Sequence, residues 1–241
     1  MSGHSKWANI KRRKESVDGK KANIFSKLGK EITIAVRDGG PDANVNRKLK
    51  DIISKAKSNN MPNDNIQRCI QKASGEGNSA NYEEIVYEGF GPCGVSVIVD
   101  ILTDNKNRAA ADVRSIFTKS GGNMGQSGSV SYMFDKKGVI VIEKNSTIDE
   151  DELMLEVLDN GAEDFISDNE YFEIITAVSE FSFLKDYLEE KGYVFIEAEI
   201  KMVANMKKDL TEVEEEKLQV FLDKLDDCDD VQNVWHNANN V

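Results

Sequence analysis

Cations crowd the start of this chain, with one indole among them. Lys6, Lys11, Arg12, Arg13 and Lys14 fall within nine residues around Trp7, and Lys20 and Lys21 follow closely. Clustered cations neutralise phosphates and release their counterions, while an indole stacks on an exposed base. Lys27 and Lys30 extend the same basic character into the next segment. The chemistry implied is nucleic-acid binding, carried by Lys6, Trp7, Lys11, Arg12, Arg13, Lys14, Lys20, Lys21, Lys27 and Lys30. The competing reading is a charged tail whose Trp7 packs on its own helices.

The residues point away from catalysis. The two histidines, His4 and His236, stand near opposite ends, and no HExxH, CxxC, P-loop lysine or EF-hand spacing occurs. The segment GGNMGQSG (121–128) resembles a phosphate cradle, but it lacks the GK[ST] ending and leads toward a strand, so it reads as a tight turn. The acidic runs at 149–152 and 212–216 open expected helices, where carboxylates favour the positive dipole end. The expectation is a non-enzyme with no metal, no cofactor and no small-molecule substrate.

Charge supports the basic segment as the contact. The whole chain of 241 residues carries a net −12, yet residues 1–75 hold 17 Lys+Arg against 7 Asp+Glu, a net +10. The remainder holds 14 against 36, a net −22. A split of this kind places a polyanion on the basic part and solubility on the acidic part. Three well-separated cysteines, Cys69, Cys93 and Cys228, fit reduced thiols, with Cys69 as a small buried helix residue. No apolar signal core follows Met1 and no membrane-length apolar run appears, so a cytoplasmic protein without membrane contact is expected.

These residues must be positioned by a helical start. Residues 1–20 read as an arm ending at Asp18-Gly19. A helix over 21–38 repeats Ile24, Leu28, Ile32 and Ala35, with Lys20, Lys27, Lys30 and Arg37 on the opposite side. A second, over 44–58, buries Val45, Leu49, Ile52, Ile53 and Ala56, and a third starts at 62–63 with Ile66, Ile70 and Ala73 inward. Beyond the linker 74–81, strands are expected at 82–88, 95–102, 130–134, 139–143, 162–167, 171–178, 193–199, 200–205 and 231–235. Helices are expected at 105–119, 149–160, 180–191 and 211–227.

The fold class is α+β: a three-helix bundle followed by two ferredoxin-like units, one inserted within the other. The expected domains are 1–76, then 82–134 plus 200–241 as a discontinuous unit, with 135–199 as an acidic insertion. Two sequential α+β domains would instead leave open sheet edges.

The stretches GHSKWANIK (3–11), NMPNDNIQRCIQKA (60–73), NYEEIVYEGFGPCGV (81–95), LTDNKNR (102–108), GGNMGQSGSVSYMF (121–134) and DDVQNVW (229–235) resemble the YebC/PmpR family along nearly the whole chain. Two positions depart from its pattern: Cys93 stands where glycine is usual, and Trp235 where tyrosine is common. The resemblance implies a helical N-terminal domain with two α/β domains. It also implies a DNA-binding transcriptional regulator, while mitochondrial relatives are translational activators and some bacterial members are tied to ribosome function. Duplex DNA and structured ribosomal RNA therefore both stand as expected targets, with the transcription machinery or the ribosome as the wider partner.

Overall fold

The computed structural model describes residues 17–75 and 81–239, and for residues 17–20 the backbone alone. Lys6, Trp7, Lys11, Arg12, Arg13 and Lys14 lie outside the described residues, as does the side chain of Lys20. Among the described residues there are seven helices and two four-stranded antiparallel sheets, an α+β fold with a helical N-terminal region.

Three helices come first: α1 (Val17–Gly39), α2 (Arg47–Ser58) and α3 (Asn63–Ser74). Helix α1 runs through Asp18-Gly19, where a break was expected; one interior glycine costs a helix only about 1 kcal/mol. It stops at Gly40, whose φ of +83° glycine adopts without a steric penalty. Asn46 then ties two helices together. Its Oδ1 accepts the Leu49 N–H at 3.0 Å as the cap of α2, and its Nδ2 donates to Ala35 O at 2.7 Å and Gly40 O at 2.8 Å. Because Asn46 is the cap, Val45 lies in the turn before the helix and is 82% exposed, contrary to the expected burial. Leu28, Ile32, Leu49, Ile52, Ala56, Ile66 and Ile70 close the core of this region. Each large aliphatic side chain so buried contributes roughly 1.5–3 kcal/mol.

The first sheet contains β1 (Glu83–Phe90), β2 (Ser96–Thr103), β3 (Asn123–Met124) and β8 (Val231–His236), in the order β3-β1-β2-β8. Helices α4 (Lys106–Lys119) and α7 (Glu212–Asp226) cover one face, where Phe117 and Phe221 meet edge to face at 4.9 Å. The second sheet has the order β5-β6-β4-β7 and is formed by a run of six elements: β4 (Phe134–Glu143), α5 (Glu150–Asp159), β5 (Ala162–Ser167), β6 (Tyr171–Thr176), α6 (Val178–Glu190) and β7 (Phe195–Ala204). This β-α-β-β-α-β run has the ferredoxin-like strand order and sits in sequence between the elements of the first sheet.

Two strand assignments change. Residues 193–199 and 200–205, expected as separate strands, form one strand β7, paired along β4 from Phe134↔Ala204 to Ile142↔Phe195. No turn residue separates Glu199 from Ile200, so the ladder continues. Residues 130–134 do not make a strand of the first sheet. Ser131–Met133 is a 3-10 turn, and the edge position goes to the two-residue β3. The hairpin strand β1 takes the centre of that sheet beside β2.

Glu88 explains the second change. Its side chain is buried on β1, and its carboxylate accepts the N–H groups of Gly128 (2.9 Å), Val130 (2.9 Å) and Ser131 (2.8 Å). Those donors are satisfied by a side chain instead of a neighbouring strand. Burial pushes the Glu88 carboxyl up, but the three amides outweigh it and hold it below the usual glutamate value. The glycine segment 121–128 contains β3, and its end at Gly128 is held, together with Val130 and Ser131, by the Glu88 carboxylate.

The turn joining β1 to β2 contains the family departure noted above. Cys93 has φ +59° and ψ +17°, a left-handed conformation that glycine adopts far more easily. Trp235, the other departure, is accommodated by a hydrogen bond from its Nε1 to Asp100 at 2.9 Å.

Candidate nucleic-acid interface

Helix α1 has two working sides. One carries Leu28 and Ile32 into the helical core. The other meets the acidic stretch 226–230, at the end of α7 and just beyond it. Asn23 Nδ2 donates to Asp226 O at 3.1 Å, and Lys27 Nζ donates to the same oxygen at 2.8 Å. Lys30 Nζ donates to Asp229 O at 2.9 Å and pairs with Asp230 Oδ1 at 2.7 Å. The side chains of Lys30 and Asp230 are 12% and 6% exposed, so this pair is nearly dry.

Asp230 is the hub of that junction. Its Oδ2 also accepts from Arg108 Nη2 at 2.8 Å and from Thr103 Oγ1 at 3.0 Å. Burial pushes its carboxyl up, but the hydrogen bonds from Lys30, Arg108 and Thr103 outweigh burial and hold it below the ordinary aspartate value. Lys27 and Lys30, expected to face phosphate, direct their ammonium groups to this acidic stretch in the structure. The helical wheel placed them opposite the apolar stripe, as the structure does, but a second part of the chain covers that side.

Other basic groups of the helical region turn toward carboxylates or carbonyls too. Arg37 donates to Tyr82 O at 3.2 Å, Arg47 pairs with Asp186 at 3.3 Å, and Lys48 lies 3.6 Å from Glu84. Lys55 pairs with Glu31 at 3.3 Å. Lys21 is exposed at the start of the described side chains and has interactions of its own.

Four cations differ. Lys50 and Lys57 on α2 and Arg68 and Lys72 on α3 are all exposed. Among the described residues, none of the four head groups takes part in an ion pair or hydrogen bond. Sequence reasoning missed them because their charge looked the same as that of the docking lysines. The helical phase of Lys50 and Lys57, seven residues apart and off the apolar stripe, was the available signal.

Comparison with known proteins places the chain. Two adjoining family models match it: TACO1/YebC protein N-terminal domain over residues 5–76, and TACO1/YebC second and third domain over residues 82–238. A relative from Acetivibrio thermocellus, named probable transcriptional regulatory protein, is 57% identical over 238 residues, with 98% of each chain covered. A Clostridium botulinum relative with the same name is 56% identical, covering 99% of this chain and 97% of its own length. In structure, the chain is similar to a conserved hypothetical protein of Aquifex aeolicus, with a TM-score of 0.81 and 39% identity over 92% of this chain and 91% of that one. The helical start and two sheet units define a three-part α+β protein. The chain belongs to the TACO1/YebC family.

Proposed function

We propose that this protein is a non-enzymatic regulator of transcription that binds duplex DNA through its basic N-terminal part. The observation that carries this reading is the charge split, +10 over residues 1–75 against −22 over the rest. Duplex DNA carries one charge per about 1.7 Å of axis, so the basic part gains by contact and the acidic part by staying clear. Lys6, Lys11, Arg12, Arg13 and Lys14 neutralise phosphates, Lys20 and Lys21 extend that track, and Trp7 stacks on a base or sugar face. The relatives' naming as probable transcriptional regulatory proteins agrees with this role. The protein works in the cytoplasm, and among the described residues no helix is long and apolar enough to cross a membrane.

The test is fluorescence anisotropy of the full chain on labelled duplex DNA and on an RNA hairpin across a KCl series. Binding to duplex DNA that weakens steeply with salt is expected. Binding to the RNA hairpin alone would replace this reading with an RNA-directed one, and binding to neither would end both.

A further inference from the structure

Apart from Lys21 and from Lys55, which pairs with Glu31 inside the bundle, the basic groups whose side chains are described in the bundle form two populations. Lys27, Lys30, Arg37, Arg47 and Lys48 contact the sheet units. Lys50, Lys57, Arg68 and Lys72 contact no acidic partner among the described residues. We propose that these four form a second phosphate-binding surface on α2 and α3, taking the backbone of the same duplex DNA that the N-terminal arm engages. This rests on the nucleic-acid reading above.

Three observations favour a polyanion as the occupant. The stretch 47–74 holds seven Lys+Arg against two Asp, so its field is positive even after the docking pairs are counted. Between residues 46 and 75 no large apolar side chain is exposed; the exposed residues beside these cations in sequence and helical spacing are polar or charged, among them Ser54, Ser58, Gln67 and Gln71 and the two carboxylates Asp51 and Asp64. A hydrophobic protein interface needs buried apolar anchors, whereas a hydrated phosphate backbone needs only cations and polar donors. Finally, helical spacing spreads the charge along the surface. Lys50 and Lys57 stand about 10 Å apart along α2, and Arg68 and Lys72 about 6 Å apart along α3. Lys50, Lys57, Arg68 and Lys72 are exposed with the sheet units in place.

The experiment uses the full chain and two quadruple variants with the same loss of charge. The first is Lys50→Gln, Lys57→Gln, Arg68→Gln and Lys72→Gln. The control, in the acidic units, is Lys106→Gln, Lys119→Gln, Lys217→Gln and Lys224→Gln. Affinity for duplex DNA and for duplex RNA is measured against KCl, and thermal melting confirms that each variant is folded. The first variant should flatten the slope of log K against log salt on DNA by about 3–4 units, while the control leaves it unchanged. A flattening of two units or fewer, or equal flattening by the control, overturns the second surface. A change confined to duplex RNA overturns the choice of DNA. If the unaltered chain itself shows no salt-dependent DNA binding, the underlying nucleic-acid reading fails first, and the surface with it.

Discussion

Replacing Asp230 by Asn should loosen the docking of the helical region on the first sheet unit. The carboxylate accepts from Lys30 at 2.7 Å, Arg108 at 2.8 Å and Thr103 at 3.0 Å, and its side chain is 6% exposed. Asparagine keeps one acceptor but removes the charge, leaving the Lys30 ammonium with neutral partners, the Asp229 and Leu102 carbonyls and the Tyr82 ring among them. Removing one member of a buried pair costs about 3–5 kcal/mol when the other stays dry. Arg108 is half exposed and regains water, so its share is at most about 1 kcal/mol. A loss of about 2–4 kcal/mol at pH 7 is the result expected from urea unfolding of Asp230→Asn. The sign with pH follows from linkage. The folded-state pKa of Asp230 is depressed, so its contribution is complete above the unfolded value near 3.9 and disappears as pH falls through the folded value. The gap between the two proteins should therefore be constant from pH 7 to pH 5 and close below about pH 4. A difference under about 0.5 kcal/mol at pH 7, or a gap that persists unchanged to pH 2, would refute the junction.

Three further substitutions test local statements. Glu88→Gln replaces a carboxylate facing three amides by a group that brings donors of its own, so it should cost about 2–3 kcal/mol and speed hydrogen exchange at Gly128, Val130 and Ser131. Cys93→Gly relieves the left-handed backbone but loosens the unfolded chain; calorimetry should show a net gain of about 0.5–1 kcal/mol. Glu199 is pushed up to about 7 by burial and by the neighbouring Glu197 carboxylate, so the fold disfavours its ionised form. The stability lost as pH rises from about 4.5 through 7 should be recovered by Glu199→Gln, with a higher Tm at pH 8 and no gain at pH 5.

Periodicity and punctuation made most of the fold legible. The apolar repeat through Leu28 and Ile32, the caps at Asn105 and Asp149, and the turn glycines Gly161 and Gly192 all mark elements close to their observed ends. Errors arose where one side chain acts at long range. Nothing local announces that Glu88 will satisfy amides some 40 residues later, and without that knowledge residues 130–134 read as a strand. Asn46 could have been read as a cap, which would have put Val45 outside the helix. Lys27 and Lys30 show the limit for the site: a wheel separates apolar from polar sides, but cannot say whether another unit or a ligand meets the polar one. The cations on α2 and α3 without an ion pair among the described residues are distinguished from the others by the partners those others have, which the sequence does not reveal.

Photocrosslinking tests the central claim most directly. The full chain is bound to duplex DNA carrying bromodeoxyuridine, irradiated at low salt, digested, and the DNA-bearing peptides are identified by mass spectrometry. Crosslinks should fall in residues 1–75, at Trp7 and in peptides spanning Lys11–Lys14, Lys50–Lys57 and Arg68–Lys72. Crosslinks concentrated in residues 81–239, with the basic part unmarked, would contradict the account.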